Sequence, residues 1–224
     1  HKAIRRQRQM CIRDSYEMPQ VKGVLTMTYR INGAGEVSVA EQLEAGDAEA
    51  PGMFRFGMTM AMPARYSEIV YYGRGAHENY CDRLSSADLG LYSQKVADQY
   101  HDEYVRPQES GTKSDLRWWS VVDSSGSGLT ILSEAPFSAS ALPYATEALD
   151  VTNFPPQQHS GPLRSGDRTY VNFDLRQMGL GCINSWGELP EDQYMIPYGD
   201  YTFRFLLRPT VKSVSYTHLT LPTN

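Results

Sequence analysis

Between Tyr71 and Arg83 the chain reads YYGRGAHENYCDR, which gathers His77, Glu78 and Asp82 with Arg74 and Arg83 into one short stretch. Such a set suits proton transfer, because an imidazole beside carboxyl groups can act as general acid and base. Glycoside hydrolysis needs two carboxyls, about 5–5.5 Å apart for retention or about 6.5–9.5 Å apart for inversion. Spacing along a chain does not fix that distance. The plainer reading is a charged loop in which Arg83 pairs with one of the acids and the tyrosines pack. Neighbouring carboxylates are common in loops, so the plainer reading is preferred.

A second constellation runs from Gln177 to Gly187, QMGLGCINSWG, where glycines 179, 181 and 187 flank Trp186. A sugar offers an apolar C–H face to a flat ring and its hydroxyls to the sides, so a tryptophan among glycines is a natural sugar platform. On composition alone, a lone tryptophan is more often core. A third group, Arg106, Glu109 and Arg117, could form an ion-pair network, with a half-buried structural role preferred over a functional one.

The elements that must carry these groups read as β-strands. Val24 to Ile31 alternates, Asn32-Gly33 signals a turn longer than two residues, and Gly35 to Leu43 follows as a second strand. Glu44 to Gly52 reads as a loop. Phe54, Phe56, Met58, Met60 and Met62 share one face of a further strand, a stripe better suited to core filling than to a cofactor. Ser67 to Tyr72 delivers the first constellation. Leu116 to Val122, Leu129 to Leu132, Thr169 to Leu175 and Tyr201 to Leu207 complete the set, with a tight turn at Asp123 to Gly128. Ala145 to Leu149 reads as one helical turn, and Val151 to Asp167 as a long surface loop. Many short strands with regular turns imply an all-β sandwich.

The two ends read differently. Met10 to Asp14 can be ATG TGT ATA AGA GAC, whose reverse complement encodes Val214 to His218, and the relation extends outward to Ile4 and Asn224. Both ends also resemble translated sequencing adapter. Residues 1–15 and 213–224 are therefore expected to be adapter-derived, leaving 16–212 as one domain. Without Lys2, Arg5, Arg6, Arg8, Arg13 and Asp14, the net charge of −5 becomes about −9. So acidic a surface repels phosphate backbones, which argues against nucleic acid as a partner. No apolar run approaches the roughly 20 residues that span a membrane. Outside the ends only Cys81 and Cys182 remain, far apart in sequence, so no disulfide framework is expected. The compartment, cytoplasmic or periplasmic, stays open.

Taken together, GRGAHENYCDR, Tyr104 to Gly111 (YVRPQESG), Arg117-Trp118-Trp119, the Gly179 to Gly187 stretch and Tyr198 to Pro209 resemble, in order, the C-terminal domain of the large β-galactosidases of glycoside hydrolase family 2. Ala76 and Cys81 stand where that family usually has prolines, and Ile183 and Asn184 where it usually has two aspartates. The resemblance implies an antiparallel super-sandwich of the galactose mutarotase type, incomplete at its N-terminal side and so with open sheet edges. It implies a parent enzyme that hydrolyses terminal β-galactosides with retention, through two glutamates and with Mg²⁺ and Na⁺, all in other domains. No catalytic or metal-binding residue is then expected in this chain. Trp186 inherits the family's aglycone-stacking role, as the substrate-binding residue. The partners implied are a β-galactoside substrate, the remaining domains of the same chain and further copies in a homo-oligomer. The alternative is a non-catalytic carbohydrate-binding sandwich using Trp186 with Trp118 or Trp119. An aldose epimerase would need a His and a Glu converging on a sugar. His77 and Glu78 are adjacent and point apart in extended backbone, so another partner such as His159 would be required.

Overall fold

In the computed structural model, residues 10–46, 49–104, 108–149, 163, 165–184 and 186–211 are described. Among them, ten strands form a single antiparallel sheet system: β1 (Met10–Met18), β2 (Gly23–Ile31), β3 (Val37–Glu44), β4 (Arg55–Pro63), β5 (Glu68–Gly75), β6 (Asp88–Lys95), β7 (Lys113–Val122), β8 (Gly128–Leu142), β9 (Arg168–Gln177) and β10 (Tyr201–Thr210). One helical turn, α1 (Thr146–Leu149), falls where the sequence places it. The strand order is β1-β2-β3-β10-β8-β7-β5-β6, with β9 added to β8 and β4 to β9.

The expected all-β antiparallel architecture is thus present, and β8 explains how one sheet becomes a sandwich. Its first part, Gly128 to Ser133, lies between β10 and β7. Its last part, Ser138 to Leu142, pairs with β9. Between them Glu134, Ala135 and Pro136 are exposed. The β7–β8 register shifts at the same level, around Asp115, whose φ of 52° is left-handed. Strands that bend or bulge in this way turn the corner between layers. The β4–β9 wing is thereby folded over β3 and β10. Phe173 of β9 meets Phe205 of β10 edge-on at 5.0 Å, and Phe56 of β4 reaches Tyr201 of β10 at 5.5 Å.

Alternation fixes which side chains enter this core. Val39 and Leu43 of β3, Met27 of β2, and Tyr71, Trp119 and Ile131 of β5, β7 and β8 are all buried. Tyr71 stacks between Trp119, at 5.0 Å, and Tyr92 of β6, at 5.3 Å. The methionine stripe of β4 packs against the core as expected from Phe56 onward. Phe54 does not: it precedes the strand and is 74 % exposed. Besides β1, two stretches escaped the sequence. β6 carries its leucines outward, with Leu89 and Leu91 exposed and Tyr92 inward, so its apolar pattern is the reverse of a core strand. The second half of β8 lies beyond Pro136, which reads as a terminus.

Strands β1, β4 and β6 each pair on one side only among the described residues, leaving open edges. β1 contains residues 10–15, set aside in sequence as adapter-derived. It lies along β2 with every residue exposed except half-buried Met18. Most of the loop expected at Val151 to Asp167 lies outside the described residues.

Candidate functional site

The first constellation leaves the end of β5 and folds into a polar knot centred on Glu78. This carboxylate is 8 % exposed and accepts hydrogen bonds from the Gly111 amide at 2.9 Å, Tyr80 Oη at 3.2 Å and Arg83 Nη2 at 3.1 Å, and from Tyr104 Oη. His101 Nε2 stands 3.8 Å away. Desolvation pushes the Glu78 pKa up. The Tyr104 and Gly111 hydrogen bonds, with the His101 and Arg83 charges, outweigh it and hold the carboxyl below its usual 4.5. A carboxyl so held is a poor proton donor at neutral pH. The expected pairing of Arg83 with one of the acids is therefore observed, and Arg83 also lies 4.8 Å over the Tyr80 ring.

His77 and Asp82 are occupied elsewhere. His77 Nε2 is 2.9 Å from Ser86 Oγ at the surface. Asp82 turns away to the second constellation, where its Oδ2 accepts the Gly181 amide at 2.5 Å. The three groups do not converge on a common point as an acid–base set would, which leaves the hydrogen-bonded loop as the reading that fits.

The third group is arranged differently from expectation. Glu109 pairs with Arg55 of β4 at 2.5 Å, not with Arg117. Burial raises the Glu109 pKa, against the lowering effect of Arg55 and Gln177. The same guanidinium approaches Asp174 of β9 at 3.9 Å. Arg106 lies outside the described residues. Sequence reasoning missed Arg55, which sits 54 positions from Glu109. No local signal marks that pair.

Trp186 is 92 % exposed, at the tip of the loop that follows β9. The loop is held by short-range bonds. Asn184 Oδ1 accepts the Trp186 amide at 2.8 Å, and Asn184 Nδ2 donates to Glu188 at 3.4 Å. Gly187 has φ +93°, a conformation that turns the chain just after the ring. A shallow open cleft beside it is walled by Ile183, Trp186, Leu189 and Pro190, with Glu188, Glu191 and Asp192 at its rim. At that exposure the indole lies outside the core. Trp118 and Trp119, 8 % and 0 % exposed, are closed to any ligand. Among the described residues no cluster of three or more His, Cys, Asp or Glu is placed to hold a metal ion.

The family described as "Beta galactosidase small chain" matches residues 1–207. A β-galactosidase of Priestia megaterium is 32 % identical over 82 % of this chain and 17 % of its own length. Those of Lactobacillus delbrueckii subsp. bulgaricus and Streptococcus thermophilus are each 31 % identical, over 83 % and 87 % of this chain and 18 % of their own lengths. The chain thus spans about one sixth of the curated relatives it matches. Among solved structures, a galactose mutarotase related enzyme from Lactobacillus acidophilus superposes with a TM-score of 0.40 at 6 % identity, covering 92 % of this chain and 70 % of that one, a likeness too distant to bear on the site.

Proposed function

Since this chain belongs to the β-galactosidase small-chain family, we propose that it is the C-terminal sandwich of a retaining β-galactosidase and that Trp186 is its contact with substrate. In this reading the parent enzyme cleaves terminal β-D-galactose from β-galactosides such as lactose. Its two catalytic glutamates stand in other domains of the same chain, as do the ligands of Mg²⁺ and Na⁺, and no step is assigned to residues here. The domain forms part of the scaffold and offers one flat ring to the leaving sugar.

The observation that carries the reading is the exposure of Trp186 on the loop that follows β9, where its amide is held by Asn184 Oδ1. Stacking a pyranose on an indole removes apolar area from water on both partners. The ring would then act on the aglycone, adding binding without entering the chemistry.

The test is Trp186→Ala in the complete enzyme. Binding of lactose, and of free glucose as acceptor, is expected to weaken more than inhibition by free galactose. Equal weakening of both would remove the platform assignment. Calorimetric binding of galactose or lactose by this chain alone would favour the carbohydrate-binding module instead.

A further inference from the structure

The two constellations meet at Asp82. Its Oδ2 accepts the amide of Gly181 at 2.5 Å, across 99 positions of sequence. The same carboxylate occupies the space that a side chain would need at both glycines. A Cβ on Gly179 would lie 2.7 Å from Asp82 Oδ2, and one on Gly181 would lie 3.0 Å from it. A side chain at either position would therefore crowd Asp82, and at Gly179 it would also meet Tyr194 Cβ at 2.9 Å. The other oxygen of Asp82, Oδ1, is buried without a hydrogen-bond partner. The group is thus held in place at a desolvation cost, and its hydrogen bond among the described residues is to the amide of Gly181.

Neighbouring contacts fix the same stem. Gly179 donates its amide to Tyr194 O at 2.9 Å, Met178 donates to Phe54 O at 2.9 Å, and the Cys81 thiol donates to Gln177 O at 3.4 Å. Between Gly181 and Glu188 the hydrogen bonds among the described residues are local, within residues 184–188. Among the described residues Asp82 is accordingly the last anchor before the tryptophan.

We propose that Asp82 is a positioning residue for Trp186: its carboxylate grips the stem of the 179–187 loop and so sets where the indole stands. This rests on Trp186 being the aglycone platform. A ring that must meet a sugar face loses binding when its loop wanders, because the loop must then be ordered on binding. The effect belongs in KM and in acceptor affinity more than in kcat.

The experiment uses the complete enzyme with Asp82→Ala, Asp82→Asn, Gly179→Ala and Trp186→Ala. Two quantities are read: hydrogen–deuterium exchange of the peptide spanning residues 177–187, and KM against kcat for lactose with inhibition by galactose. Asp82→Ala is expected to speed exchange in that peptide and to raise the lactose KM several-fold, with galactose inhibition little changed. Asp82→Asn keeps a neutral acceptor for the Gly181 amide and should restore most of both. Gly179→Ala crowds Asp82, and Tyr194 with it, from the other side and should loosen the same stem, which keeps the test available if Asp82→Ala folds poorly. Unchanged exchange in both Asp82→Ala and Gly179→Ala would overturn the proposal whatever Trp186 does. A lactose KM that responds to Trp186→Ala but not to Asp82→Ala would overturn it while leaving the platform standing. Faster exchange with a lactose KM indifferent to Trp186→Ala would instead remove the platform, and the positioning role with it.

Discussion

Lys113 Nζ donates to Gln99 Oε1 at 2.8 Å, and both side chains are 2 % exposed. The ammonium also reaches Gly111 O at 3.1 Å, so it ties β7 to the loop whose amide binds Glu78. Desolvation lowers its pKa from 10.5 to about 8, against the attraction of Glu78. In the unfolded chain the amine holds its proton up to about pH 10.5, whereas in the fold it holds it only to about 8. Stability from this group therefore rises between pH 8 and 10.5, by about 3 kcal/mol in all. Urea midpoints across that window should show the rise in the parent chain and not in Lys113→Met. Parallel profiles for the two would refute the assignment.

Glu41 of β3 presents the opposite case. It is 4 % exposed, its Oε2 has no hydrogen-bond partner, and burial with the nearby Asp174 charge raises its pKa from 4.5 to about 7. Asp174 is itself raised to about 7 by burial, with Arg55 pulling it down and Glu109 pushing it up. A carboxyl that holds its proton more tightly when folded stabilises the fold most below its unfolded value, and that stability is lost as pH rises from about 4.5 to about 7. Glu41→Gln should flatten this decline and be the more stable chain at pH 8, by about 3 kcal/mol at most. A Glu41→Gln chain less stable than the parent at pH 8 would contradict the account.

Glu78 holds the knot beneath the first constellation. Glu78→Ala leaves Arg83, Tyr104, Tyr80 and the Gly111 amide without their shared acceptor. A loss of about 3 kcal/mol is expected from breaking such a buried set. It should appear as a lower melting temperature, accompanied by faster exchange in the loops around residues 78–83 and 108–113. Undiminished stability would mean that the knot follows the fold and does not hold it.

The exposed character of β1 gives a test of the chain's first residues. Removing residues 1–15 costs no buried side chain among those described, since Met10 to Ser15 are all exposed. Stability should change by no more than about 1 kcal/mol. A collapse of the melt would show instead that the edge pairing with β2 supports the sheet, and would count against the adapter reading.

The strands were legible where alternation and turn chemistry agree. Val24 to Ile31 and Tyr201 to Leu207 are apolar at every second residue and lie inside β2 and β10. β6 was hidden because Leu89 and Leu91 face solvent and only Tyr92 reports the core side. At the candidate site, the residue types were visible but the pairings were not. Glu78 finds Tyr104 and Gly111 at separations of 26 and 33 residues, and Asp82 finds Gly181 at 99. Contacts at such range are set by the folding of layers, and a single chain read linearly carries no period that announces them. Trp186 is singled out by resemblance alone, whereas its exposure is a property of the fold.

The crease in β8 has a consequence for how the domain opens. One strand serves as an interior member of both layers, bonded to β10 at one end and β9 at the other. Detaching the β4–β9 wing would strip partners from the same backbone that the β10 layer relies on. The two layers should therefore melt as a single cooperative unit, with slowly exchanging amides concentrated along β8 and protection fading toward β1 and β6.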